Sequence, residues 1–134
     1  MHLDEPRFSQ EIINAANRRL QSACAAQPAV TTAVLTSDDG FEIAAYRAGT
    51  SSGRLAAMSS SLQALAEALV QEAGVGAGCS VILEAQGGAI AVVRLACDSL
   101  RASLSVVGAG DETLGRLLWI ARNCCQLLER DLQQ

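Results

Sequence analysis

The sequence contains no lysine, and this absence restricts the chemistry that the chain can perform. All ten basic residues are arginine. A phosphate-binding Walker lysine and a Schiff-base lysine are therefore both excluded. The single histidine is His2, beside the N-terminus, which leaves no basis for a histidine-dependent triad or a histidine-rich metal site. We expect no catalytic residues, no cofactor and no metal ion, and we predict that the protein is not an enzyme.

Basic clusters and long apolar runs are also missing. The net charge is −4, and the ten arginines form no block of the kind that binds nucleic acid or an anionic membrane. No apolar run approaches the roughly 20 residues that span a bilayer. The first residues are polar and acidic, unlike a signal peptide. We expect a cytoplasmic protein with no nucleic-acid partner and no membrane insertion.

Five cysteines are present, an odd number, and none forms a C-x-x-C motif. This pattern is typical of reduced thiols in a cytosolic protein. We interpret the cysteines as small buried hydrophobic residues, with a redox or metal-binding role as the alternative. Two fall in predicted strands and three on predicted helices: Cys79 and Cys97, then Cys24, Cys124 and Cys125.

Apolar periodicity predicts one domain over residues 8–131, with short tails at 1–7 and 132–134. The predicted helices cover about 8–26, 54–73 and 110–131, with Asp111 as the N-cap of the last one. The predicted strands cover 29–36, 41–46, 79–85, 89–96 and 101–108. The fold class is therefore α/β of the α+β type, in the order α-β-β-α-β-β-β-α. We predict a five-stranded, mostly antiparallel sheet with one helix on one face and two on the other.

Two acidic pairs and two glycine clusters are candidate sites. Asp38-Asp39 precedes Gly40 between two predicted strands, where short acidic side chains and a glycine favour a turn. The cluster at 74–78 follows a helix, in the reverse order to a dinucleotide-binding fingerprint. The cluster at 108–113 has the right order, but Asp111-Glu112 would repel phosphate. We interpret all four features as turns and caps.

The middle helix carries two parallel stripes. Its apolar stripe steps by three and four residues and is predicted to face the sheet; it consists of Leu55, Met58, Leu62, Leu65 and Leu69. A stripe of small residues lies about 110° around the helix and consists of Ala57, Ser61, Ala64 and Ala68. Small side chains allow a second helix to approach closely, although alanine also simply favours helix formation. We predict a contact between two copies of the chain through this stripe.

Trp119 is predicted to lie on the polar side of the last helix, opposite the leucine-rich side. A lone tryptophan among polar residues is a candidate binding residue. Packing against the first helix or a terminus is the alternative, because large exposed apolar side chains usually need cover.

With these elements in order, the chain resembles the Roadblock/dynein light chain family, particularly its bacterial members of the mutual gliding protein B type. The resemblance extends over about residues 12–129. It rests on "AVLTSDDGFEIAA" at 33–45, on "RLAAMSSSLQALAEALVQEAG" at 54–74, and on the strands that follow. No single segment is a catalytic signature; the ordered set is what matches the family.

The resemblance implies a homodimer in which the middle helices pair and the third strands join two sheets into one. It assigns the stripe Ala57, Ser61, Ala64 and Ala68, together with Val81 and Leu83, to that interface. It further implies a small Ras-like GTPase as partner, because some bacterial members stimulate GTP hydrolysis without supplying a catalytic residue. Our candidates for contacting the GTPase are Gln63, Glu67, Gln71 and Trp119. The alternative function is a small-molecule sensor or scaffold domain with the same layout.

Overall fold

A computed structural model of the protein describes residues 8–47, 52–98, 100–110 and 113–133. The helices are α1 (Gln10–Ala25), α2 (Ser52–Ala73) and α3 (Leu114–Leu132). The strands are β1 (Val30–Ser37), β2 (Glu42–Tyr46), β3 (Ser80–Ala85), β4 (Gly88–Arg94) and β5 (Ala102–Ala109). The predicted order of elements is therefore confirmed. The predicted tails lie largely outside the described residues, but Leu132 is the last residue of α3 and is buried.

The five strands form one sheet in the order β2-β1-β5-β4-β3, with every neighbouring pair antiparallel. β5 lies in the centre between β1 and β4, and β2 and β3 form the two edges. Tight hairpins connect β1 to β2 and β3 to β4. Each edge strand therefore lies beside the strand that is next to it in the chain. The fold class is as predicted.

α1 and α3 pack on one face of the sheet and contact each other. Strand side chains alternate between the two faces, and the side chains directed towards α1 and α3 are the larger apolar ones, such as Leu35, Leu104 and Val106. Each helix contributes a buried stripe with helical spacing: Ala16, Leu20 and Cys24 from α1, and Leu117, Ala121 and Leu128 among others from α3. This layer forms the main hydrophobic core.

α2 lies on the opposite face. The neighbouring strand residues Val34, Ser105 and Val92 face it, and the hydroxyl of Ser105 donates to that of Ser59 of α2 at 2.7 Å. The helix starts over β1 and β2 and extends towards the beginning of β3, where Gln63 donates to the carbonyl oxygen of Cys79 at 3.3 Å. The prediction of one helix on one face of the sheet and two on the other is therefore confirmed.

The Asp38-Asp39-Gly40 turn joins β1 to β2 as the sequence predicts. The Gly40 amide donates to the Ser37 carbonyl at 3.0 Å, and the Ser37 amide donates to the Phe41 carbonyl at 2.9 Å. Gly40 has φ of +92°, a backbone conformation that residues with a Cβ rarely adopt. The turn packs against α2, where a Cβ on Gly40 would be in ordinary van der Waals contact, 3.6 Å from the Cα of Ala57.

Three local predictions need correction. The last helix begins at Leu114, and its N-cap is Thr113, whose hydroxyl oxygen accepts from the Arg116 amide at 3.1 Å. Asp111, the predicted cap, lies outside the described residues; threonine supplies the same side-chain oxygen acceptor. Cys79 and Cys97 lie outside the strands, because β3 begins at Ser80 and β4 ends at Arg94.

Gly88 provides a test of strand packing. A Cβ at this position would lie 2.1 Å from the Gly108 carbonyl oxygen of β5, so Gly88→Ala must push two paired strands apart. We expect a loss of about 1–3 kcal/mol in the free energy of unfolding, measured by urea denaturation. Gly87→Ala is the matched control, since nothing lies within 4 Å of its Cβ position. Equal stability of the two variants would contradict the close approach.

Candidate interaction surface

The side of α2 that packs on the sheet consists of small and polar residues. Its buried members are Ser52, Ala56, Ser59 and Gln63. The prediction that the leucine stripe faces the sheet is therefore wrong. Three of its members are among the most exposed apolar side chains, with Met58 at 67%, Leu65 at 68% and Leu69 at 67%. A small, polar side fits this position because the strand residues beneath it include Thr36, Ser103 and Ser105, which are buried and polar.

The small-residue stripe of α2 is also exposed along its whole length. At 100° per residue, the buried side, the leucine stripe and the small-residue stripe divide the helix into three sectors of roughly equal width. Ala57, in the small-residue stripe, faces the β1–β2 turn. The leucine stripe therefore points the other way, towards the part of the sheet that α2 leaves uncovered.

That uncovered part of the sheet is apolar and ends at the edge strand β3. Leu83 pairs with Ile90, and Ile90 pairs with Val107, so the three side chains form one row on the α2 face. Leu83 is 45% exposed, and Ile90 and Val107 are half-buried. The leucine stripe and this row lie on the same face of the sheet, and we call the two together the α2–β3 surface. Surfaces of this kind mark interaction sites.

A network of ion pairs connects α2 to the end of the sheet. Arg94, the last residue of β4, donates from Nε to Glu67 of α2 at 2.6 Å and from a terminal nitrogen to Asp38 at 2.9 Å. Asp38 also accepts from Arg101 at 2.8 Å. Gln63 donates to Glu67 at 3.1 Å, and Ser60 donates to the Asp38 carbonyl at 2.6 Å. The network links β4, the β1–β2 turn and the middle of α2.

The two carboxylates of this network are held in their charged form. The hydrogen bond from Arg94 outweighs partial burial and lowers the pKa of Glu67. For Asp38, partial burial acts to raise the pKa, but the hydrogen bonds from Arg101 and Arg94 together outweigh it and lower the pKa. Both groups therefore stay ionised well into the acidic range, where their unfolded counterparts take up protons.

Asp38 is thus more than a turn residue. The sequence predicts that its carboxylate bonds to nearby backbone amides, but the Ser37 hydroxyl oxygen accepts from the Phe41 amide at 3.0 Å in that position. The Asp38 carboxylate instead binds two arginines that lie 56 and 63 residues further along the chain. Local sequence carries no signal for such distant contacts, so the sequence could not indicate this role.

The structure separates the predicted partner-binding residues. Gln63, a predicted contact for the GTPase, is 1% exposed beneath α2 and so does not face outward; its amide group fits the polar layer under the helix. Glu67 is partly exposed but bound to Arg94. Gln71 is exposed. Trp119 is 56% exposed on the outward side of α3, on a different layer of the fold from the other three.

The cysteines are free thiols, as predicted from their number and spacing. Four are buried and Cys79 is half-buried. Burial raises the pKa of Cys125 to about 12, which keeps this thiol protonated and unreactive. Among the described residues, no group of three or more histidine, cysteine, aspartate or glutamate side chains could hold a metal ion. In the same part of the chain, none of the helices is long and apolar enough to cross a membrane.

Residues 17–100, more than half of the chain, match the model of the Roadblock/LC7 domain. The chain belongs to the Roadblock/LC7 family. The match covers α1 from its second turn through β4, and so includes α2, the β1–β2 turn and the edge strand β3. No curated protein matches the chain.

Solved Roadblock structures share the fold. The gliding protein MglB of Thermus thermophilus is 18% identical with a TM-score of 0.78, covering 95% of this chain and 96% of that one. A Roadblock/LC7 domain of Streptomyces avermitilis is 21% identical with a TM-score of 0.74, covering 86% and 96%. Another MglB structure, described as having a tetrameric arrangement, is 18% identical with a TM-score of 0.76, covering 92% and 91%. The TM-scores and coverage show a common Roadblock fold, as the resemblance implied.

The ion-pair network predicts a specific pH dependence of stability. Because the folded pKa values of Asp38 and Glu67 are lowered, the network stabilises the protein above the unfolded carboxyl pKa of about 4, and this contribution is lost as pH falls through the folded values. Arg94→Met should cost about 1–2 kcal/mol at pH 7. The variant should also lose less stability than the wild type between pH 5 and pH 2.5, measured by urea denaturation.

Arg101→Met is the matched control. Arg101 binds the same Asp38, but its side chain is 79% exposed, and exposed ion pairs contribute little. An Arg94→Met variant with wild-type stability at pH 7, or with the same steepness of acid unfolding as the wild type, would contradict the stabilising role of the network.

Proposed function

We propose that the protein is a homodimeric regulator or adaptor of a small Ras-like GTPase. The single observation that carries this proposal is the α2–β3 surface, an exposed apolar helix stripe beside an open edge strand. Large exposed apolar surfaces mark interaction sites, and a second copy of the chain would cover this one. The family assignment supports the same reading, because Roadblock/LC7 domains are regulatory or adaptor domains rather than enzymes.

The proposed dimer joins the two sheets at β3 and places the two α2 helices side by side on the same face. Val81 and Leu83 are the strand residues that would face the partner's helix, since both lie on the α2 face. Met58, Leu65 and Leu69 would lose most of their exposed area. Burial of these side chains stabilises association by about 25 cal/mol per Å² before the entropic cost of binding.

The small-residue stripe is the second candidate for the helix–helix contact. Ala57, Ser61, Ala64 and Ala68 are exposed and would allow the α2 helices to approach closely at one border of the leucine stripe. The leucine stripe lies on the side of the uncovered sheet and the small-residue stripe on the side of the β1–β2 turn. We therefore place the leucine stripe at the centre of the contact and the small-residue stripe at its border.

Substitution of one residue in each stripe tests this arrangement. Leu65→Glu puts a charge in the centre of the apolar contact and should convert the dimer to a monomer at micromolar concentrations, measured by analytical ultracentrifugation. Ala64→Arg, at the border, should weaken the dimer by a smaller factor. Phe41→Glu is the matched control, because Phe41 is also exposed, at 55%, but lies at the β1–β2 turn. A dimer unaffected by Leu65→Glu would contradict the proposed interface.

A GTPase partner would bind the part of α2 that the dimer leaves accessible. Gln71 is exposed there, and Glu67 is partly exposed beside it. Gln63 lies beneath the helix and can act only by holding Glu67. Paired α2 helices would present two copies of this surface to the GTPase and could favour its active arrangement without supplying a catalytic residue. Trp119 lies on the other layer and would belong to a separate contact. The protein would act in the cytoplasm.

Binding to a Ras-like GTPase encoded near this gene tests the function. We expect the dimer to retain the GTP-bound form more strongly than the GDP-bound form in a pull-down, and Gln71→Arg to weaken retention without changing the dimer. Gln21→Arg, on the exposed side of α1, is the control. Equal failure to bind either form would contradict the proposal. A GTP hydrolysis assay with and without the protein then separates an activator from an adaptor.

A small-molecule sensor is the alternative function, and no specific observation favours it. The clefts that the described residues form are open and lie at the surface, for example between α1 and α3 around Arg18 and Arg130. The layer between the sheet and these helices is filled by apolar side chains. A sensor would require an enclosed site, and the proposed interaction surface requires none.

A further inference from the structure

β3 is an edge strand whose free backbone groups belong to alternate residues. It pairs only with β4 among the described strands, from Ser80–Val93 to Ala85–Gly88, across the two-residue turn Gln86-Gly87. In such a hairpin the residues that flank the turn form a hydrogen-bonded pair, and hydrogen-bonded and non-bonded pairs then alternate. The backbone groups of Ala85, Leu83 and Val81 are therefore directed towards β4. Those of Glu84, Ile82 and Ser80 are directed outwards.

An antiparallel pairing of two copies of β3 can use these outward groups in few registers. Outward residues must pair with outward residues, so the two-fold axis passes through position 81, 82 or 83. Only an axis at Ile82 uses all three outward residues of each strand, with Ile82 opposite its own copy and Ser80 opposite Glu84. Hydrogen bonding therefore favours the Ile82 register, independently of any side chain.

This register brings opposite charges together. Ser80, Ile82 and Glu84 share the α3 face of the sheet, and Arg122 of α3 donates to the Ser80 hydroxyl at 3.4 Å. Glu84 lies at the other end of the strand and is exposed. Neither Arg122 nor Glu84 forms an ion pair with another described residue of the monomer. Directly paired residues lie close enough for their side chains to meet, so Arg122 over Ser80 would reach Glu84 of the second copy.

We propose that two copies of the chain pair through β3 with Ile82 on the two-fold axis, and that Arg122 of each copy binds Glu84 of the other. The proposal rests on the proposed homodimer and adds its register and its selectivity. Arg122 and Glu84 lie on the face opposite α2, so the apolar contact holds one face of the junction and the two ion pairs hold the other. Such pairs add specificity for a second copy of this chain.

Trp119 lies beside this junction. α3 begins near the turn after β3, where Leu114 and Gln86 line one cleft, and reaches Ser80 at Arg122. Trp119, one turn before Arg122, is therefore level with the middle of β3, and its groove is lined by Leu118, Arg122 and Gln126 among others. Two copies related by an axis at Ile82 would bring both tryptophans to the junction and shield them from water.

Complementary charge reversals test the register. Arg122→Glu and Glu84→Arg should each raise the dimer Kd about 10-fold to 100-fold, because each creates two like-charge contacts at the junction. A mixture of the two variants should form a heterodimer with nearly wild-type Kd, since each junction contact then joins one acidic and one basic side chain again. The measurement is sedimentation equilibrium at 50 mM and 500 mM salt, with the effects smaller at high salt.

Arg18→Glu and Glu42→Arg are the matched controls. Arg18 is an exposed arginine of α1, and Glu42 is an exposed glutamate at the start of β2, the other edge strand; both should leave the Kd unchanged. Thermal unfolding of each variant checks that it folds. In addition, the emission of Trp119, the only tryptophan, should shift to shorter wavelength as the wild-type protein associates.

The outcomes separate the two proposals. A wild-type protein that stays monomeric at high concentration would overturn the proposed homodimer and the register with it. A dimer that Leu65→Glu disrupts but neither charge reversal weakens would leave the homodimer in place and overturn the register. Single variants that are weakened but fail to recover on mixing would also overturn it, because the charges would then act within one copy. Unchanged Trp119 emission upon dimer formation would contradict the position of the axis.

Discussion

α2 presents only small and polar side chains to the sheet, and the rest of the interaction surface depends on this constraint. Ser59 and Gln63 occupy the space under the helix, and Ser103 and Ser105 lie below them on β5. A leucine side chain directed into this layer would displace hydrogen-bonded groups such as Ser59 and Ser105. The apolar residues of α2 are consequently left on the outside, where only another molecule can bury them.

The attachment of α2 to its own sheet is correspondingly polar. The hydrogen bond between Ser59 and Ser105 and the ion pairs around Arg94 hold the helix in place, while two buried polar atoms, Thr36 Oγ1 and Gln63 Oε1, have no partner among the described residues. A layer of this kind contributes less stability than the leucine-rich layer under α1 and α3. Coverage of the α2–β3 surface by a second copy would therefore stabilise α2 itself as well as the dimer.

The two faces of the sheet thus differ in how completely they are covered. The α1–α3 face contains the core and keeps the strands in register. The α2 face presents an incomplete layer next to an open edge strand, and the proposed dimer would complete both at once. The same junction would carry charges of opposite sign at the two ends of β3 on the other face. A surface that is self-complementary in this way fits a second copy related by a two-fold axis.

Sequence patterns predicted the order of elements, the antiparallel sheet and the β1–β2 turn, because these depend on local periodicity and turn chemistry. The family was indicated by the resemblance of the ordered segments. The leucine stripe and the small-residue stripe also lie on distinct sides of α2, as their spacing predicts. The side of α2 that faces the sheet was predicted wrongly for the leucines, because periodicity shows that a helix has distinct sides without showing which side lies against which layer. The ordinary expectation is that leucines are buried inward, and it fails here because the strand residues below include the buried polar side chains of Thr36, Ser103 and Ser105.

Asp38 illustrates the same limit. The sequence by itself determined that the residue lies in a turn before a glycine, since that follows from neighbouring residues. Only the tertiary structure decided that its carboxylate binds Arg94 and Arg101, since those residues come from other strands. The same holds for Ser80 and Arg122, which meet through the packing of α3 on an edge strand. Local sequence determines the elements and their sides, but contacts between distant segments depend on how the layers pack, which no short pattern encodes.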